Sequence, residues 1–263
     1  MRDKMGYIYR YPFFLAKEIF FYMLALLKRD NIPSQKFILY CSPRTGSNLL
    51  RTLINSHPDI YLDTPILSHD EAKRLFFPIR YIRGHHRKAA EKQVYGFKIH
   101  PYNLTYQKLD AQKFLLKFHQ AGWKIIHLRR FNLVRQQVSL IIAEQRNKWV
   151  DTLETPLKKL KFYIDSDELI KKTQRQETHL ANEEKALGQV PHLTIAYEDE
   201  LLKAEQHQKT ADRIFEYLGV DSVPVKAKIV RTSTDSLADF IENYEEMVRV
   251  LSKTKYARFL DDD

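Results

Sequence analysis

Along the chain, short runs of consecutive apolar residues alternate with longer stretches in which apolar positions recur every three or four residues. A short continuous run suits a strand buried on both faces, and the longer spacing suits a helix with one buried stripe. The alternation therefore predicts an α/β fold with a central parallel sheet flanked by helices. Strands are expected over residues 37–41, 95–99, 124–128 and 193–197, each rich in β-branched, leucine or aromatic residues. Helices are expected over 49–55, 106–120, 133–145, about 155–187, and 201–218, the last closed by Gly219 as a C-cap. A final helix is expected from about Ser236, because Leu237, Phe240, Ile241, Tyr244, Met247, Val248 and Leu251 fall on one helical face. Residues 68–92 are less regular and read as a partly helical excursion on the rim, its cations forming either a solvated face or an acceptor-facing one. No repeat or Pro/Gly-rich linker divides the chain, so residues 36–263 are expected to form a single domain.

Residues 1–35 are expected to form an N-terminal amphipathic helical segment. In "YPFFLAKEIFFYMLALLKRD", Lys17 and Glu18 leave an apolar run of only Ile19 to Leu27, far short of the roughly 20 residues needed to span a bilayer. No small-residue cleavage site follows, which argues against a signal peptide. Two readings stay open: a helix packed on the domain, and a helix in peripheral membrane contact through residues 11–29, with basic residues on its flank.

The formal charge of +10 favours an anionic partner. It does not select one. The basic residues are spread along the chain, and no helix-turn-helix, zinc-finger or aromatic RNA-binding signature occurs, so nucleic acid is not the expected partner. A basic nucleotide- or nucleic-acid-binding protein without catalytic activity remains as an alternative. The single cysteine, Cys41, excludes an internal disulfide framework and a Cys-rich zinc site and fits a reducing, cytoplasmic setting. His85 and His86 are adjacent and cannot present two ligands to one ion from a helix or a strand, so no metal is expected.

One stretch carries specific chemistry. In "KFILYCSPRTGSNLLRTLINSHPDI" an apolar strand runs through the polar loop "SPRTGSN" into a helix, which aims loop amides and a helix N-terminus at one point. Gly46 lets the backbone turn, Thr45, Ser47 and Asn48 offer side-chain donors, and Arg44 brings a forked permanent cation. The pattern suits a phosphate or sulfate. It lacks the G-x-x-x-x-G-K-[ST] ending of the triphosphate loop, which argues against a P-loop-like phosphotransferase, the other alternative.

"SPRTGSNLL" resembles the 5′-phosphosulfate loop of the sulfotransferases that use 3′-phosphoadenosine-5′-phosphosulfate (PAPS), in the arginine-containing form of carbohydrate-type and bacterial members. "IIHLRRFNLVRQQVSLIIA" is similar to the family's 3′-phosphate segment, "LTIAYEDELL" with "IFEYLGVD" to its Tyr-Glu-Asp stretch and following helix, and "VRTSTDSLADFIENYEEMVRVLSKTKYARFL" to the C-terminal segment that helps close over the nucleotide. The resemblance covers roughly residues 37 to 260 in family order. It implies a sulfotransferase-like fold and transfer of a sulfuryl group from PAPS, without a metal, to a hydroxyl of a carbohydrate, glycolipid or small alcohol. It implies donor contacts from Arg44, Thr45, Gly46, Ser47, Asn48, Arg130, Ser139, Tyr197, Arg231 and Thr232.

Strand alternation puts Lys98 and His100 on one face, and a Lys-x-His pair here resembles small-molecule sulfotransferases in which the histidine is the base and the lysine serves the donor. His100, Lys98 and Arg44 are thus the expected catalytic residues. Two departures from the family pattern remain. The family arginine precedes the serine by eight positions, whereas Arg130 precedes Ser139 by nine and Arg129 by ten; Arg130 is preferred, with Arg129 on the opposite face. The glutamate that many bacterial members carry after the His-Pro turn is replaced by Pro65, leaving Asp63, His69 and Asp70 as reserve bases.

Overall fold

The computed structural model describes residues 4–27, 33–68, 74–147, 160–227 and 236–260, with side chains from residue 12 onward. Its elements, in chain order, are α1 (Lys4–Leu24), β1 (Gln35–Cys41), α2 (Ser47–Ile54), β2 (Ile60–Asp63), α3 (Pro78–His86), β3 (Val94–Ile99), α4 (Pro101–Tyr106), α5 (Ala111–Gln120), β4 (Trp123–Arg129), α6 (Leu133–Arg146), α7 (Ser166–Leu187), β5 (Leu193–Ala196), α8 (Tyr197–Glu200), α9 (His207–Leu218) and α10 (Tyr244–Leu251). The sheet has five strands in the order β2-β3-β1-β4-β5, and every pairing is parallel. Residues 37–41 of β1 are all buried, as expected of a central strand covered on both faces.

The strand alternation divides the core. Ile38, Tyr40, Tyr95, Phe97, Ile99 and Ile125 point to one face and pack with Phe21 of α1, Tyr81 of α3 and Phe118 of α5. Phe37, Leu39, Cys41, Val94, Ile126 and Leu128 point to the other and pack with Leu50 of α2 and Phe215 of α9. A third cluster joins Val138 of α6, Leu169 of α7 and Met247 of α10. In register, Leu39 of β1 lies between Lys98 of β3 and Ile126 of β4. The loops after β1, β3 and β4 therefore open at one level, where the chain has crossed from one side of β1 to the other; in open parallel sheets that crevice is where ligands bind.

The structure adds one strand and corrects several boundaries. β2 is an edge strand of four residues, too short to give a pattern, and Asn55 secures it by accepting from Leu62 N (2.7 Å) and donating to Leu62 O (3.1 Å). The helix expected over 106–120 is two, because Lys108 is left-handed (φ 56°) and Asp110 caps α5 through Lys113 N at 2.8 Å. α7 starts at Ser166 with Asp165 as its cap, while residues 155–159 of the longer expectation lie outside the described residues. The expected helix over 201–218 begins only at His207, closed by Gly219 in the left-handed region (φ 81°). The expected terminal helix is interrupted because Phe162 N donates to Phe240 O and Glu242 N to Phe162 O, so a 3-10 turn at Leu237–Asp239 precedes α10.

The excursion expected on the rim is partly helical and half core: Tyr81, Ile82 and His85 of α3 are buried while Arg80 and Arg83 face water. α3 packs on α1, with His85 stacked on Phe21 at 3.7 Å between ring centroids. Gly84 allows this approach, since a Cβ there would overlap the Phe21 carbonyl. Gly84→Ala should therefore lower stability by roughly 1–3 kcal/mol and loosen α1, seen as a lower urea midpoint and faster proteolysis near residues 12–27; an unchanged midpoint would contradict the packing.

Candidate active site

The loop after β1 turns through two left-handed residues, Arg44 (φ 61°) and Gly46 (φ 87°), before α2 begins at Ser47. Gly46 is needed twice over: its backbone favours glycine, and a Cβ would lie 2.6 Å from the Tyr197 ring. Thr45 fastens the turn by donating to Ser42 O at 2.9 Å.

α6 holds the loop from the side. Arg44 donates from Nε and Nη2 to Ser139 Oγ (3.0 and 2.9 Å), Gln136 Nε2 donates to Pro43 O (2.7 Å), and Arg130 Nη1 donates to Arg44 O (3.2 Å). The two clusters expected to grip opposite ends of one nucleotide thus meet directly. A serine hydroxyl that accepts from Arg44 keeps its own proton to donate. Arg130 lies over the Tyr197 ring, 4.6 Å from its centroid, so Tyr197 sits between that guanidinium and Gly46. It begins α8 rather than ending β5. Arg129 points the other way, to Glu184 of α7 (3.3 Å) and the Phe131 ring, as alternation along β4 predicts.

β3 supplies the second wall. Lys98 Nζ donates to Asn48 Oδ1 (2.8 Å) and Ser47 Oγ (3.3 Å), both in the first turn of α2. The ammonium is buried with neutral oxygens as its acceptors, and burial, reinforced by the cations of Arg51 and Arg44, lowers its pKa. His100 lies just beyond, its Nδ1 2.6 Å from Cys41 O and its ring stacked on Tyr102. Donation from Nδ1 to a carbonyl fixes the tautomer in which Nε2 carries the lone pair. Burial, with Lys98 beside it, pushes His100 down to about 4, against the pull of the carbonyl. Burial also pushes the Cys41 thiol up to about 11, so the neighbouring Cys41 and His100 stay neutral together.

Asp63 is spoken for. Its carboxylate is 3.0 Å from His85 Nδ1 and accepts from Thr64 N at 2.9 Å, on the sheet face opposite Lys98. Burial pushes Asp63 up, but His85 and Lys88 outweigh it and the net shift is downward, leaving an anion held by a neutral imidazole. His69, Asp70, Arg231 and Thr232 lie outside the described residues. Among the described residues no group of three or more His, Cys, Asp and Glu is arranged to hold a metal ion.

Two supporting carboxylates escaped sequence reasoning. Glu198 accepts from Phe131 N (3.0 Å) and Asn132 N (3.1 Å) and lies 3.7 Å from Arg130 Nε, fixing the turn that carries that arginine. Its place after Tyr197 was the available signal. Glu183 of α7 is buried, accepts from Ser42 Oγ and lies 3.2 Å from His127 Nε2, tying the loop entrance to β4. No local pattern marks it, because its partners are over 50 residues away.

Gly46→Ala should cost roughly 1–3 kcal/mol and displace Tyr197, whereas Gly122→Ala, also left-handed (φ 81°) but with open space around the added methyl, should cost only the backbone term. Equal losses in urea unfolding would remove the contact with Tyr197 from the account. His100 and His86 are both held near 4, chiefly by burial, against an ordinary value of 6.5. The unfolded chain then binds more protons in that window, so stability should fall as pH drops from about 6.5 towards 4, by up to roughly 1.4 kcal/mol per pH unit for each histidine. A flat midpoint across that window would contradict the burial of both rings.

No protein-family model matches the chain. It is 28% identical to Nodulation protein H of Rhizobium tropici over 251 residues, 89% of this chain and 96% of that protein. Among solved structures it overlaps a sulfotransferase from Alicyclobacillus acidocaldarius (TM-score 0.48, 16% identity, 89% of this chain and 95% of that one). It also overlaps a mouse sulfotransferase complexed with PAP (TM-score 0.42, 14% identity, 92% and 93%). The chain is thus related to Nodulation protein H along nearly its whole length, and its five-stranded parallel sheet carries the loop and basic residues described above.

Proposed function

We propose that this chain is a sulfotransferase that moves a sulfuryl group from PAPS to a hydroxyl of a carbohydrate, glycolipid or small alcohol. The observation that carries the reading is Lys98: a buried ammonium whose acceptors among the described residues are neutral oxygens, set beside Arg44 at the start of α2. A buried cation without an opposite charge is costly, and an anion on the loop would offset that cost. The donor set fits a doubly charged nucleotide: the loop residues Arg44, Thr45, Gly46, Ser47 and Asn48 suit the 5′-phosphosulfate, and Arg130 with Ser139 the 3′-phosphate. Tyr197 would lie near the adenine, and Arg231 and Thr232 would add contacts to the 3′-phosphate. PAPS supplies the transferable sulfuryl group.

His100 takes the base role because Nδ1 is committed to Cys41 O and the ring is neutral across the physiological range. Asp63 is a poorer candidate, since its carboxylate is committed to His85. In the transfer, the acceptor oxygen forms a bond to sulfur as the bond from sulfur to the phosphate oxygen breaks. The hydroxyl proton passes to His100 Nε2, and Lys98 neutralises the charge left on the phosphate oxygen. The low pKa of His100 implies an acid limb of the rate profile well below 6.5.

Two measurements test these assignments. Calorimetry with adenosine 3′,5′-bisphosphate should give binding that Arg44→Ala and Ser139→Ala each weaken roughly 10- to 100-fold, the range for charge-assisted hydrogen bonds; unchanged affinity in both would reject the donor site. With labelled donor and a panel of sugars, glycolipids and phenols, one acceptor class should acquire label, and His100→Ala should slow turnover on it by roughly 10²–10⁴-fold. Full turnover by that variant would remove His100 as the base while leaving the donor site intact.

A further inference from the structure

α1 is amphipathic in the inverted sense. Of the two charges that interrupt its apolar run in sequence, Lys17 is half-buried and Glu18 faces the domain: it is buried, accepts from Phe76 N at 3.0 Å and bonds the Tyr22 hydroxyl. From residue 12 to residue 27 every exposed position is apolar, with Phe20 at 55%, Met23 at 63% and Leu26 at 65%. A second element extends this surface. Phe76 (74% exposed) and Phe77 (60%) are fixed beside α1 by the Glu18 bond and by Tyr22, whose hydroxyl accepts from Phe77 N at 2.7 Å. Residues 74–88, packed against α1 through α3, hold Arg74, Arg80, Arg83, Arg87 and Lys88 and no acid. An apolar face about 20 Å long on residues 12–24, joined by two aromatic side chains and flanked by cations, is far larger than scattered surface residues produce.

We propose that the outward face of α1, with Phe76 and Phe77, docks on an anionic lipid surface, α1 lying in the plane of the interface with its apolar side chains among the acyl chains. Among the described residues no helix is long and apolar enough to cross a membrane, so α1 lies on the surface. Charge complementarity selects lipid over a second copy: acidic headgroups would meet the cations of α3, whereas a two-fold contact through this face would bring like charges together. The inference does not rest on the transfer chemistry, since none of these residues belongs to the donor site.

Flotation of the full chain with vesicles of phosphatidylcholine alone, or with about one-third phosphatidylglycerol, tests it. The chain should float with the anionic vesicles and at least about tenfold less with the neutral ones, the difference shrinking at high salt. Phe20→Ser/Met23→Ser should weaken flotation at least about tenfold, and Arg80→Glu/Arg83→Glu should abolish the preference for anionic lipid. Unaltered binding of adenosine 3′,5′-bisphosphate and unaltered unfolding would report an intact fold in both variants. The proposal is overturned if the wild-type chain stays with the supernatant at low salt, or if the Phe20/Met23 variant floats as well as wild type. It is equally overturned if the chain dimerises through this face and excludes vesicles.

Discussion

The site depends on one tether: the side chain of Arg44 hydrogen-bonded to Ser139 while the backbone carbonyl of the same residue receives Arg130. Arg44 sits in a left-handed conformation that non-glycine residues seldom adopt, at a cost of about 1–2 kcal/mol, and these bonds, with Gln136 on Pro43, hold it there. The loop is thereby joined to α6 by the protein's own hydrogen bonds. Fixing donors in advance is what makes an oxyanion site effective, because binding then requires little reorganisation.

The two sides of the sheet do different work around that tether. On the side of α2 and α9, Lys98, His100, Arg130 and Tyr197 gather at the ends of β3, β4 and β5, and Glu198, a carboxylate beside Arg130, fixes a turn. On the opposite side, buried acids pair with histidines: Glu183 with His127, and Asp63 with His85. Glu183 also receives Ser42, so α7 anchors the loop entrance from the face away from the cations. With these acids behind the sheet, the cations of Lys98 and Arg130 stand together in front of it.

Much of this was legible in sequence, for identifiable reasons. β1, β3, β4 and β5 are short runs rich in β-branched, leucine or aromatic residues, and Gly46, Arg44 and the Lys98–His100 alternation are local features that strand and turn geometry convert into positions. Arg130 was preferred for its closer spacing to Ser139, and strand alternation puts Arg129 on the opposite face. What stayed hidden was tertiary. β2 exists because Asn55 and β3 pair with it, and the C-terminal helix breaks because residues 162–164 hydrogen-bond into it. The inward aim of Glu18, which turned an apparently interrupted segment into a continuous apolar face, needed the position of Phe76.

The central claim is that the β1–α2 loop and the start of α6 form one binding unit. Hydrogen exchange with and without adenosine 3′,5′-bisphosphate tests it most directly, through the amides of residues 42–48 and 130–139. The account predicts that both segments become protected together, over the same range of ligand concentration. Protection of one segment with the other unchanged, or of neither at saturating ligand, would contradict it.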